Sequence, residues 1–161
     1  MPDSFAMKAL HTQALVAAQE LRKCNEISER YGLTLTETQI QSLVQSRFDA
    51  LRFTGRMELG GGILPKLIYA FCDSPHISRI DYSGTLAALQ ELFYTFKNES
   101  EDAMSDDELM EAMKRCFNGK AQGSLEYLEN LSISDLYRAL TGNSDDEDDD
   151  DDSDDEDGYD E

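Results

Sequence analysis

The sequence predicts an all-α fold: a compact bundle of five to seven helices followed by a disordered acidic C-terminal tail. Apolar residues recur at three- and four-residue steps through most of the chain, the periodicity of amphipathic helices. Capping and stop signals flank these stretches, and no run alternates between apolar and polar residues convincingly enough to indicate a strand. These observations divide the chain into a helical domain at 1–143 and an Asp/Glu-rich tail at 144–161.

The first two helices are predicted from their apolar stripes and from their ends. The first runs from about residue 4 to residue 31 and ends at Gly32, a residue suited to the left-handed conformation that closes a helix. The second begins after Thr36, which has capping-box spacing with Gln39, and ends near Gly55. The predicted core residues of these helices are Leu10, Ala14, Ala17, Leu21, Cys24, Tyr31, Ile40, Leu43, Val44, Phe48 and Leu51.

The second half of the chain predicts three further helices and a broken segment. ILPKLIYAFC is apolar almost all round, as expected of a helix in the middle of a bundle. A fourth helix covers about 83–98, and a fifth begins at the capping box SDDE and ends at Gly119. The last segment gives two short helices, the second beginning at Ser132 or Ser134 and ending at Gly142. Their predicted core residues include Leu86, Leu89, Phe93, Phe96, Leu109, Met113, Cys116 and Phe117.

Charge is the unusual part of the composition. The formal net charge is -20 over 161 residues, and from Asp145 to Glu161 only Ser153, Gly158 and Tyr159 are not acidic. This segment has too little apolar surface to offset the entropy of ordering, so we expect the tail to be disordered. The basic residues are scattered among acids, and so acidic a chain is not expected to bind a nucleic-acid backbone directly.

The expected location is the cytoplasm. The N-terminus lacks the features of a secretory signal peptide. No segment approaches the roughly 20 apolar residues that a membrane-spanning helix needs, so no membrane association is expected. The three cysteines, Cys24, Cys72 and Cys116, are odd in number and far apart in sequence. Free thiols in a reducing compartment are the simplest interpretation of that pattern.

The block GILPKLIYAFCDSP, residues 62–75, resembles the core of a family of small uncharacterised bacterial proteins from Gram-positive anaerobes. The resemblance extends over about residues 21–140. It implies a bacterial cytosolic protein and no particular activity, because the family has none assigned. The acidic tail after Gly142 has no counterpart in the family's pattern.

The stretch ELGGGILPK, Glu58 to Lys66, has glycines before a helix and a lysine after them, as in many phosphate-binding loops. A Walker-type loop requires a Ser or Thr directly after its lysine, where this chain has Leu67. A dinucleotide fingerprint requires a preceding strand, which is missing. We interpret Gly60 to Gly62 as a structural turn that lets an apolar helix pack closely, with Pro65 in its first turn.

Cys72 and His76 form a C-x3-H pair, a spacing that can hold zinc. A closed zinc site needs four ligands, and His11, Cys24 and Cys116 are distributed as separate residues along the helices. Nucleophilic catalysis by Cys72 would need a histidine base beside it, and a position beyond a proline does not favour that geometry. We therefore predict no metal, no cofactor and no enzymatic activity.

Six aromatic residues at helical spacing fit either a core or a binding surface, and a core position is the more common one. They are Phe5, Phe53, Tyr69, Tyr82, Tyr94 and Tyr127. We therefore predict that they are buried.

Two classes of function remain. The first is a non-enzymatic interaction or accessory protein, whose acidic tail modulates contact with a basic partner protein. The second is a small-molecule- or metal-binding helical protein with a pocket near Gly60–Gly62 and Cys72/His76. By base rate an acidic run serves solubility, so the tail is a solubiliser or a functional polyanion. The predicted partner-binding residues are Asp148, Asp149, Asp150, Asp151, Asp152, Asp154 and Asp155.

Overall fold

A computed structural model describes residues 4–58 and 60–141, with side chains from residue 11 onward. Within these residues the chain forms seven α-helices and no β-strand, so the predicted all-α class is confirmed. The tail at 144–161, for which the sequence predicts disorder, lies outside the described residues. The division into two regions at residue 143 therefore stays a prediction.

The helices follow one another with short connections. Their bounds are α1 Ser4–Ser28, α2 Glu37–Thr54, α3 Leu64–Phe71, α4 Tyr82–Glu99, α5 Asp106–Asn118, α6 Leu125–Glu129 and α7 Ile133–Thr141. A short 3-10 helix, Glu29–Tyr31, follows α1.

Most of the predicted helix ends agree with the structure; the first helix, predicted to end at residue 31, ends at Ser28 and is followed by the 3-10 helix. At the start of α2 the Thr36 hydroxyl accepts from the Gln39 backbone N–H, and the Gln39 side chain accepts from the Thr36 backbone N–H. A second capping box opens α5 at Ser105. Gly32 and Gly55 both adopt the left-handed conformation after their helices, with φ of 79° and 73°. These local signals are satisfied within a few residues, which is why the sequence alone reveals them.

The helix α3 lies at the centre of the bundle, where it packs against α1, α4 and α5. Its buried residues, Leu64, Leu67, Ile68 and Phe71, recur at three- and four-residue steps. The helices α2 and α4 pack along each other on one side. Most of the predicted core positions are buried, among them Leu21, Cys24, Ile40, Leu43, Val44, Leu51, Leu86, Leu89, Phe93, Phe96, Leu109, Met113 and Phe117.

Several predicted core residues are exposed or only half-buried. Tyr31 is exposed because α1 ends at Ser28, and the tighter 3-10 turn that follows changes the phase of the apolar stripe. Phe53 is 93% exposed. It follows the buried Leu51 by two residues, which turns its side chain by about 200° around the helix.

Further predicted core aromatics also reach the surface. Tyr69 directly follows the buried Ile68, and Tyr127 directly precedes the buried Leu128. Because neighbouring residues of a helix point in different directions, both tyrosines are exposed. Tyr82 and Tyr94 are buried, as predicted. Phe48 and Cys116 are half-buried and pack against the edge of the core, whereas the side chain of Phe5 lies outside the described residues.

Candidate binding groove

A groove with a volume of about 890 Å³ runs between α2 and α4. On α2 its lining residues include Ser46, Ala50 and Thr54, which follow one another at four-residue steps and therefore share one face of the helix. On α4 the lining includes Ala87 and Ala88. Because these side chains are small, the two packed helices leave a depression between them. We refer to it as the α2–α4 groove.

Phe53 forms part of the α2 wall of this groove. Its side chain is almost entirely exposed, although a phenylalanine ring gains about 1.5–3 kcal/mol on full burial. Single exposed apolar residues are common on protein surfaces. A large apolar ring beside a concave surface is the arrangement that binding sites use as an anchor. Phe53 is therefore the large apolar side chain that the groove lining offers to a ligand.

The charged residues that line the α2–α4 groove are Asp49, Glu91 and Glu99. Asp49 accepts a hydrogen bond from the Gln45 amide at 3.1 Å. None of the three carboxylates forms an ion pair with a cation in the described part of the chain. A cleft lined by charges of one sign concentrates their field, so the groove attracts cations.

One guanidinium lies near the end of the groove. Arg56 Nε donates to Asn98 Oδ1 at 2.8 Å, and Arg56 Nη2 donates to Asp102 Oδ1 at 2.6 Å. Asp102 and Arg56 form an ion pair, and this contact holds the pKa of the Asp102 carboxyl below its usual value. The charge of Arg56 is therefore matched locally, and the net charge of the groove lining stays negative.

Two polar residues of α4, Gln90 and Tyr94, form part of the groove lining on the side of the core. Gln90 is 1% exposed, and its Oε1 accepts no hydrogen bond from any described residue. Tyr94 is equally buried, and its hydroxyl donates to Glu58 Oε1 at 2.6 Å. Burial and the neighbouring Glu58 carboxylate raise the pKa of Tyr94. Tyr94 therefore stays neutral and keeps its role as a donor.

The bond from Tyr94 connects the groove to the glycine loop, residues 60–62. Glu58 Oε1 lies 3.5 Å from Nε of Arg47, which is fully buried. Arg47 Nη1 donates to the Gly60 carbonyl oxygen at 2.6 Å. A buried guanidinium requires an opposite charge and acceptors nearby. Glu58 provides the charge and Gly60 one acceptor, while Arg47 Nε and Nη2 have no hydrogen-bond partner within the described residues. In the sequence, Arg47 falls on the predicted apolar stripe of α2, four residues after Leu43 and four before Leu51, but no local pattern identifies its partners.

The glycine loop packs against the carboxylates of Glu20 and Glu58. The Gly61 backbone N–H donates to the Glu20 carboxylate, and a Cβ on Gly62 would collide with Glu58 Oε1 and Arg47. Gly60 and Gly62 have φ near +60°. The lysine of the predicted stretch, Lys66, points to α5, where its Nζ lies 2.9 Å from Asp107 Oδ1. The hydrogen bond with Asp107 raises the pKa of Lys66. This arrangement supports the interpretation of the loop as a structural turn.

The structure does not bring the glycine loop and the Cys72/His76 pair together. They lie at opposite ends of α3, whose eight residues span about 12 Å. Burial raises the pKa of the Cys72 thiol, and the His76 ring packs edge-on against Phe117 with centroids 6.3 Å apart. Within the described residues, no three His, Cys, Asp or Glu side chains are grouped so that they could hold a metal ion.

The predicted partner-binding aspartates lie outside the described residues. They are Asp148, Asp149, Asp150, Asp151, Asp152, Asp154 and Asp155. In the described part of the chain, no helix combines the length and the apolar character needed to cross a membrane.

Sequence patterns missed the groove because they assigned its residues other roles. Phe53 was assigned to the core, and Gln90 was not singled out, although it lies on the predicted core stripe of α4, four residues after Leu86 and three before Phe93. A second available signal was the position of Phe53 on α2, which places it on the face opposite Leu51.

Comparison with known proteins gives a family and no function. No curated protein and no solved structure shows significant similarity to the chain. A family model described as a family of unknown function, DUF6323, matches residues 20–146. This match covers every lining residue of the α2–α4 groove and ends before Asp148. The predicted resemblance to an uncharacterised family is confirmed, and a bacterial origin stays a prediction. The chain belongs to DUF6323, a family of unknown function.

Proposed function

We propose that this chain is a non-enzymatic, cytoplasmic interaction protein whose α2–α4 groove binds a basic amphipathic helix of a partner protein. The observation that supports this proposal best is the exposure of Phe53, 93%, beside a groove whose charged lining residues, among those described, are all carboxylates. The ring offers apolar contact, and the carboxylates offer charge complementarity to lysine and arginine.

The dimensions of the groove suit a helix. Its lining on α4 extends from Ala87 to Glu99, which corresponds to about 18 Å along the helix axis. A bound helix of similar length has a little over three turns, enough to place two or three apolar side chains along the groove. The small side chains of Ala50 and Ala87 leave room for those apolar groups.

The chemistry of the lining favours binding over catalysis. Neither histidine nor cysteine nor lysine lines the described groove, so its hydroxyl groups and carboxylates have no histidine base and no lysine beside them. The acidic tail complements the same partner, because a basic helix would be attracted by the tail as well as by the groove carboxylates. The three cysteines, none of which is in a disulfide, fit a reducing cytoplasm.

The test uses three synthetic peptides of about 18 residues and the full chain. The first peptide contains leucine and lysine, with the leucines at helical spacing; the second has the same composition in an order without an apolar stripe; the third replaces every lysine with glutamate. We expect the first peptide alone to bind, with changes in backbone NMR shifts confined to α2 and α4. Affinity is measured by fluorescence anisotropy.

Phe53→Ser and Ile80→Ser form a matched pair, because the two side chains are exposed to the same extent and Ile80 does not line the groove. We expect Phe53→Ser to weaken binding of the first peptide at least tenfold and Ile80→Ser to leave it unchanged. Both variants keep the acidic tail, so any non-specific attraction between the tail and the lysine peptide is the same for the two variants. Equal affinities for the two variants, or tight binding of the glutamate peptide, would show that the proposal is wrong.

A further inference from the structure

Gln90, in the lining of the α2–α4 groove, has a buried hydrogen-bond acceptor that the described part of the chain does not use. Its side chain is 1% exposed and forms part of the groove lining, and Oε1 has no hydrogen-bond partner within the described residues. The large majority of buried side-chain polar atoms in proteins are hydrogen-bonded. An open acceptor beside a groove therefore indicates a donor that arrives from outside the chain.

The Gln90 amide can turn towards such a donor at little cost. The terminal torsion of a glutamine side chain has a broad minimum, so Oε1 can move into the groove without a change in the position of α4. Across the groove stands Ala50, and one turn before Gln90 on α4 stands Ala87. These two methyl groups leave space for a side chain several atoms long.

The surroundings of Gln90 favour a neutral donor. The next turn of α4 carries Tyr94, whose hydroxyl donates to Glu58 Oε1, the carboxylate that is paired with the buried guanidinium of Arg47. A partner ammonium on this side of the groove would lose its hydration where the Glu58 carboxylate is already paired, whereas the outer carboxylates can receive it in water. An amide or hydroxyl donor has no such penalty.

We propose that Gln90 is a specificity-determining residue, which selects a bound helix that carries an amide or hydroxyl side chain, best a glutamine, at the centre of its apolar face. This inference rests on the proposed function of the groove. A single buried polar residue in an otherwise apolar helix interface fixes the register of the helices, because any other register leaves polar groups unpaired. Gln90 thus sets the register of the partner, while Phe53 and the carboxylates supply the affinity.

The test is a double-mutant cycle on the full chain. The leucine–lysine peptide is prepared with glutamine, methionine or lysine at its central apolar position, and each version is titrated against the unchanged chain and against Gln90→Met. Methionine resembles glutamine in length and shape and has no amide. We expect the unchanged chain to bind the glutamine peptide about fivefold to tenfold more tightly than the methionine peptide. On Gln90→Met the order should reverse, because the peptide amide is then unpaired.

Thermal denaturation of Gln90→Met serves as the control for folding, and the comparison between peptides on one variant is independent of its stability. If the leucine–lysine peptides bind in the groove and the unchanged chain does not prefer glutamine to methionine, the assignment of Gln90 fails while the proposed function stands. Tighter binding of the lysine peptide overturns the assignment of a neutral donor. If none of the peptides binds in the groove, the proposed function fails and the role of Gln90 fails with it.

Discussion

The Tyr94 hydroxyl donates to Glu58 Oε1 at 2.6 Å, and this bond joins the α2–α4 groove to the glycine loop. Glu58 is also the ion-pair partner of Arg47, and Arg47 holds the Gly60 carbonyl oxygen. The groove lining and the loop therefore share one buried polar network. Because the members of such a network hold and polarise one another, a change at the loop should alter the groove lining.

The two buried tyrosines should make the fold sensitive to alkaline pH. Burial raises the pKa of Tyr82 to about 12, and burial together with the Glu58 carboxylate raises the pKa of Tyr94. An unfolded tyrosine ionises near pH 10, so the stabilising contribution of both residues is fully present below about pH 10 and is lost as pH rises through their folded pKa values.

We therefore expect the free energy of unfolding to fall from about pH 10 upward, and part of the tyrosinate absorbance to appear only when the chain unfolds. Tyr82→Phe and Tyr94→Phe should each remove one late-titrating group. Complete ionisation of all seven tyrosines in the folded chain would contradict this.

Substitution of two glycines should separate the effect of backbone conformation from the effect of crowding. Gly55 and Gly62 both have positive φ, at 73° and 60°. A Cβ on Gly55 meets no atom within 4 Å, whereas one on Gly62 collides with Glu58 and Arg47. We expect Gly55→Ala to lower the free energy of unfolding by about 1 kcal/mol through backbone strain. Gly62→Ala should lower it by about 3 kcal/mol or more, since it also displaces a buried ion pair. Urea denaturation measures the free energy of unfolding of both variants. Equal decreases for the two variants would mean that the glycine loop relaxes freely around the added methyl group.

The difference between what the sequence predicted and what it missed follows from the range of the interactions. The capping boxes at Thr36 and Ser105 and the left-handed Gly32 and Gly55 depend on neighbours a few residues away, so their signals are visible in the sequence. The burial of Arg47 depends on Glu58 and Gly60, which reach it through the tertiary fold.

The groove was missed for a related reason. An apolar residue at helical spacing predicts the core, and Phe53 contradicts that rule because none of the described helices packs on its face of α2. Gln90 lies on the core stripe of α4 between Leu86 and Phe93, but a glutamine in a helix is exposed in most proteins, so its burial was not predicted. Its open acceptor becomes visible only when the packing of α4 is known.

The cysteines should react in an order set by their burial. Cys24 is 1% exposed, and Cys116 is half-buried rather than in the core as the sequence predicted. Burial raises the pKa of both thiols, so neither is an activated nucleophile, and access decides the rate. We expect Cys116 to be labelled by a thiol reagent well before Cys24 in the native chain. Mass spectrometry of partly labelled protein identifies the site, with Cys116→Ser as the control. Faster labelling of Cys24 would indicate that α1 separates transiently from the core more readily than the burial of Cys24 implies.

The acidic tail should act on the rate at which a basic partner associates rather than on the strength of the final contact. Exposed charges are screened within about 8 Å at physiological ionic strength, so long-range attraction by the tail requires low salt. We compare the full chain with a chain that ends at Gly142, each binding the leucine–lysine peptide in stopped-flow experiments at low and high salt. Removal of the tail, which includes Asp148 to Asp155, should slow association at low salt and have little effect at high salt. The dissociation rate, which depends on Phe53 and the groove carboxylates, should be the same for the two chains at each salt concentration. Equal association rates for the two chains at both salts would leave the tail as a solubilising segment, with recognition carried out by the helices alone.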